Sequence, residues 1–145
     1  MRIRPLNAIA GIAFCLLAGC DKRPEEPAII ALADGQIAFG GDEKACLQLA
    51  YVRKQDPGED DEAYVWNVHA PEGGCLHFPL VFGVKPEGAA DMSGSAQLDQ
   101  NARYDFEAGS ADRRYTAAFE SSSSNGVFYV RDRAGTWTDI TKAQQ

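Results

Sequence analysis

The chain is poor in the residues that carry most enzyme chemistry. Its 145 residues include two histidines and four cysteines. Neither His69 nor His77 stands in an H-E-x-x-H pattern, no C-x₂-C pair occurs, and no phosphate loop or dinucleotide fingerprint is present. The serines at 121 to 124 have no G-x-S-x-G turn around them. The signatures of zinc peptidases, nucleotide enzymes and serine hydrolases are therefore missing. A glycosidase carboxylate pair is set by space rather than by sequence, and 21 acidic residues single out no pair. An enzyme is not expected, and no cofactor is implied. Positive charge is also in deficit, with 14 lysines and arginines and a formal net charge of −7. Such a chain is repelled by phosphates, which argues against nucleic acid. A basic protein, a cationic ligand or a divalent cation stays compatible. No apolar run reaches the ~20 residues needed to cross a bilayer. There is no internal repeat, and no long helical periodicity follows residue 28.

What is present begins at the amino end. Arg2 and Arg4 precede an apolar stretch from Leu6 to Ala18, broken only by Asn7 and Gly11. A charged start and a short apolar middle are the parts of an export signal. The stretch ends in Leu17-Ala18-Gly19-Cys20, which resembles the lipobox of bacterial lipoproteins. That resemblance implies removal of residues 1–19, diacylglycerol on the Cys20 thiol, and often a third acyl chain on the freed amine. Two or three chains hold firmly, since each buried CH₂ contributes about 0.8 kcal/mol. The resemblance places the mature protein in the cell envelope, facing the periplasm. Asp21 resembles the mark that keeps enterobacterial lipoproteins in the inner membrane, and the outer membrane stays open. Loss of Arg2 and Arg4 brings the remainder to a charge of about −9.

Residues 20–27 are charged and carry Pro24 and Pro27, a composition that favours an extended tether. At ~3.1 Å per residue it would lift the domain about 20 Å from the lipid. The composition, 45% hydrophobic and 24% charged, fits one ordinary domain over 28–145.

In that domain the dominant period is two. Residues 29–33 and 36–39 flank Asp34-Gly35, a hairpin signal. Leu47, Leu49 and Tyr51 alternate with Cys46 and Gln48, and Tyr64, Trp66 and Val68 share a face. Leu76, Phe78, Leu80, Phe82 and Val84 alternate around Pro79, which argues for an edge or a bulge. Tyr104, Phe106 and Ala108 alternate with Arg103, Asp105 and Glu107; Tyr115, Ala117 and Phe119 alternate with Arg114, Thr116 and Glu120. A short run at 127–130 and a last strand from Gly135-Thr136-Trp137 complete the set. Turn chemistry at 56–58, 71–74, 86–88 and 121–126 separates them. The expectation is all-β: a small antiparallel β-sandwich, or a small barrel, of about eight to nine strands. Leu98 and Tyr104, six residues apart before a strand, together with Trp66, resemble the tyrosine corner of fibronectin III and immunoglobulin-type sandwiches. Phe106 stands where an immunoglobulin domain has its second cysteine. The likeness implies an adhesive or adaptor fold, not an activity.

Cys46 and Cys75 remain after lipidation, and export favours a disulfide between them. It would close a loop of about 30 residues, worth ~3–4 kcal/mol, at an outer face or strand end. The competing set is Cys46, Cys75, His69 and His77 around zinc. If residues 71–74 form a four-residue turn, His69 pairs with Leu76 and points away from Cys75 and His77. Glu59-Asp60-Asp61-Glu62 lacks the spacing of an EF-hand. It reads as a solvated hairpin tip and, if functional, as a contact for a basic partner. The function expected is a membrane-anchored, non-catalytic binding or accessory subunit for another envelope protein. The alternatives are a periplasmic inhibitor or immunity protein against a basic envelope-attacking enzyme, and a small-ligand carrier or hydrolase.

Overall fold

Alternation of apolar and polar side chains puts successive residues on opposite faces of a strand, so each run needs a partner layer for its apolar half. The computed structural model describes residues 24–32, 36–121, 128–132 and 134–140. The leader at 1–19, Cys20, Asp21, the Asp34-Gly35 turn and residues 122–127 lie outside the described residues. Among the described residues there are ten strands: β1 (Ala28–Ala31), β2 (Ile37–Gly40), β3 (Leu49–Lys54), β4 (Tyr64–His69), β5 (Leu80–Val81), β6 (Asp91–Ser93), β7 (Ala102–Gly109), β8 (Arg114–Ser121), β9 (Phe128–Arg131) and β10 (Trp137–Asp139). They form two antiparallel sheets, one ordered β1-β2-β5 and the other β10-β9-β8-β7-β3-β4-β6. The fold is an all-β sandwich, and neither sheet closes into a barrel among the described residues.

The core lies between the sheets. Phe39 of the small sheet stacks on Phe106 of the large one, with centroids 3.8 Å apart and planes 9° from parallel. Trp66 and Phe119 flank Phe39 at 6.3 and 6.0 Å. All four side chains are fully buried, each contributing about 1.5–3 kcal/mol through burial.

Several expectations need correction. The tenth strand is β6, whose three exposed residues carry no alternation to read. Leu47, Leu49 and Tyr51 do not share a face. Leu47 is fully buried in an isolated bridge to Leu76, and the chain then changes phase at Gln48. The N–H of Gln48 donates to the Gly109 carbonyl, and its own carbonyl accepts from Ala70. Ala50 and Val52 consequently point inward while Leu49 and Tyr51 face out. Tyr64 leaves the Trp66 and Val68 face because the β3–β4 register shifts between Val52 and Arg53. A bulge of this kind turns one side chain across the sheet.

The turn at 71–74 forms, with the Gly74 N–H donating to the Pro71 carbonyl, yet it does not return the chain along β4. Leu76 pairs with Leu47, and His69 pairs with Leu49 and Asp91. The run at 76–84 keeps its inward alternation through Phe82, while Val84 is exposed. Only Leu80 and Val81 are strand, at the edge of the small sheet. The peptide before Pro79 is cis.

Of the tether expected over 20–27, residues 24–27 belong instead to the folded domain. Glu25 forms a parallel bridge with Tyr115 of β8, and Pro27 is buried. β9 covers β8 only from Ala118 to Ser121, which leaves the start of that strand's edge open to this segment.

Candidate recognition surface

The small sheet covers one face of the seven-stranded sheet, and among the described residues no second layer covers the other. Its side chains are the polar halves of the alternating runs. From β3 come Tyr51 and Arg53, from β4 Tyr64, from β7 Arg103, Asp105 and Glu107, from β8 Arg114, Thr116, Ala118 and Glu120. The register adds Tyr129 and Arg131 of β9 and Trp137 of β10, since Tyr129 lies opposite Glu120, and Arg131 lies opposite both Ala118 and Trp137.

Ionic pairs bind these residues across strands. Arg114 grips Glu107 through two bonds, Nε to Oε1 at 2.9 Å and Nη2 to Oε2 at 3.0 Å. The Tyr51 hydroxyl donates to the same carboxylate at 2.7 Å. The Arg114 guanidinium holds the Glu107 carboxyl below its ordinary range, and the Tyr51 bond adds to this. Burial first, and the Glu107 carboxylate second, push the Tyr51 hydroxyl up to about 12. Asp105 accepts from Gln55 at 2.8 Å and faces Arg53 at 3.5 Å. Arg103 bonds Glu120 at 3.2 Å and lies over the Trp137 ring at 5.1 Å. Tyr51 and Tyr64 meet edge to face at 5.3 Å.

A trough of about 380 Å³ runs through this lattice. Thr116 and Ala118 are short and form its floor, while Tyr51, Arg53, Asp105, Glu107 and Arg114 stand along it. Glu26 forms one wall, and Arg131, Asp132 and Gly135 of the β9–β10 turn form the other. The trough is a shallow, polar groove in which Arg114 and Glu107, and Arg53 and Asp105, are held by one another. Arranged in this way, they suit recognition of a polar surface. No protein-family model, curated protein or solved structure matches this chain.

The residues singled out from the sequence lie elsewhere. Cys46 and Cys75 form a disulfide with Cα atoms 4.8 Å apart, beside the Leu47–Leu76 bridge at the end of the strands. So bonded, neither sulfur is a thiolate able to ligate a metal. The histidines point to separate partners: Nδ1 of His69 lies 2.9 Å from Asp91, and Nδ1 of His77 lies 3.0 Å from the Ala45 carbonyl. Glu59-Asp60-Asp61-Glu62 sits in the β3–β4 connection, and two of its members hold that loop in place. Asp61 bonds Lys54 at 2.7 Å and accepts the Gly58 N–H, both of which lower its carboxyl. Glu62 accepts the Ser95 N–H at 3.1 Å. Glu59 and Asp60 stay exposed. Lys54 also reaches Asp99 at 2.8 Å, and the Tyr104 hydroxyl accepts the Asp99 N–H at 2.7 Å. Of the serine run, only Ser121 is described, buried at the end of β8.

The outer-face residues were visible in the sequence only as the polar positions between core positions. Reading them as a surface required the order β9-β8-β7-β3-β4, which no local pattern encodes.

Proposed function

We propose that this chain is a lipid-anchored, non-catalytic binding subunit that recognises another envelope protein through the outer face of its seven-stranded sheet. The observation that carries the reading is the composition of that face. Tyr51, Tyr64, Tyr129 and Trp137 lie among Arg53, Arg103, Arg114 and Arg131, and aromatic residues and arginine are the types enriched where proteins bind one another. The arginines shown in ion pairs are already ordered before a partner arrives, which lowers the entropy lost on binding.

The test is recovery of the tagged, lipidated protein from its own envelope, beside a Tyr64→Ala/Trp137→Ala variant and a Cys20→Ser control. A stoichiometric protein that co-purifies with the parent and falls at least tenfold with the face variant is expected, at unchanged melting temperature. Equal recovery by both forms would place the contact elsewhere, and recovery of nothing by either would end the accessory-subunit reading.

A second reading, inhibition of a basic envelope-attacking enzyme, is favoured by exposed Glu59 and Asp60 at the loop tip. Molar excess of the domain should then slow cell-wall lysis by a cationic muramidase. Unchanged lysis counts against it.

A further inference from the structure

We infer that the domain meets its membrane with the 110–113 turn toward the lipid and the 56–62 loop pointing away, so that the recognition trough lies in the half nearer the lipid. This rests on the lipid anchor and the recognition face proposed above.

Strand polarity defines two ends of the large sheet. At one end of the large sheet Leu49 lies opposite Gly109, and Gly109 opposite Arg114. At the other end Lys54 lies opposite Tyr104, and Ala102 opposite Ser121. The first end carries the 110–113 turn and the second carries the 56–62 loop. Glu25 bridges Tyr115 in the parallel sense, so the segment climbs with β8 from the first end. The amino end of the described segment, at Pro24, therefore lies at that same end.

The segment is fastened at that point by several bonds. The Glu25 N–H donates to the Arg114 carbonyl and the Thr116 N–H donates to the Glu25 carbonyl, both at 2.9 Å. The Arg113 guanidinium takes both oxygens of the Glu25 carboxylate, at 3.1 Å to Oε1 and 2.9 Å to Oε2. Its remaining nitrogen bonds Asp42 at 2.8 Å. In a parallel ladder the next bond would come from the N–H of residue 27, and Pro27 has none, so the pairing stops where the trough begins.

Reach then decides orientation. Four residues, 20–23, separate the acylated cysteine from the fastened segment and span at most ~14 Å. β8 has eight residues, so the sheet stands about 26 Å tall. To lay the 56–62 loop on the lipid, the linker would have to run back along the whole sheet, which is beyond its length. The trough, walled by Glu26, lies in the half of the sheet nearer the membrane.

The experiment uses the purified, acylated full protein in phosphatidylethanolamine/phosphatidylglycerol vesicles with quencher-labelled headgroups. A fluorescent residue is placed at Ala111 or at Asp60. Intact mass first establishes acyl mass on Cys20. Quenching at least fivefold stronger at 111 than at 60 is expected. The ratio should fall toward one when ten Gly/Ser residues are inserted between Arg23 and Pro24, and again in Glu25→Ala/Arg113→Ala. Equal quenching in the acylated parent overturns the orientation and leaves the anchor standing. Absence of acyl mass removes the anchor and the orientation with it.

Discussion

At the scale of single residues, the sandwich depends most on Phe39, which touches three rings of the opposite sheet. Phe39→Ala should cost about 3–5 kcal/mol, read as a lower urea midpoint; a loss under 1 kcal/mol would mean that the sheets repack without it. Charge gives a second prediction. Glu107 and Asp61 have folded-state carboxyls below their ordinary range, so the unfolded chain binds protons more readily than the native one as acid is added. Their contribution is complete above the unfolded value of about 4 and is lost as pH falls through the lower folded value. Melting temperature should be level near neutrality and drop below about pH 4, with a smaller drop in Glu107→Gln. An equal drop in that variant would show that the Arg114 pair is not responsible. Inward residues such as Tyr104, Phe106 and Phe119 were legible because period two survives in long strands. Tyr64 was not, because one bulge reverses its side and a bulge leaves no local mark in this sequence.

Among the elements, the connections are what the sequence hid. Residues 76–84 read as one strand, but Pro79 has no N–H for a ladder, and the segment joins β2 only through Leu80 and Val81. The Cys46–Cys75 link fastens this poorly paired stretch to the entrance of β3. Replacing both cysteines with serine should cost ~3–4 kcal/mol on the loop-entropy account, measured by denaturant unfolding with and without reductant. A stability that reductant leaves unchanged in the parent would contradict this. β6 hangs on one glycine. Gly94 has φ +98°, and a Cβ there would meet the Val65 carbonyl oxygen at 2.6 Å. Gly94→Ala should therefore destabilise by about 1–3 kcal/mol and raise amide exchange first along β4 residues 67–69. Protection unchanged at those amides would rule out this role for the turn. Residues 24–27 misled in the other direction: their charges and prolines describe a free linker, and only the open edge of β8 explains why they dock.

For the whole molecule, one contiguous core joins both sheets, so the domain should unfold in a single transition. Tryptophan fluorescence and far-ultraviolet dichroism should give coincident melting curves, because Trp66 of the large sheet packs against Phe39 of the small one and against Phe82 just beyond β5; separated curves would show that the three-stranded sheet opens by itself. Fold class could be read from the sequence because it follows from period and turn chemistry. The recognition face could not, since it is made by strands far apart in the chain. The same separation has a consequence in time. Glu25 and Arg113 are 88 residues apart, and synthesis at about 5–20 residues per second delivers the arginine roughly ten seconds after the glutamate. A chain emerging amino end first has delivered the residues of β1 through β7 before the clamp can form. Glu25 is left without its Arg113 partner throughout that interval. The clamp can fasten the amino end only after seven of the ten strands have been made, with β8 to β10 still to follow it in the chain.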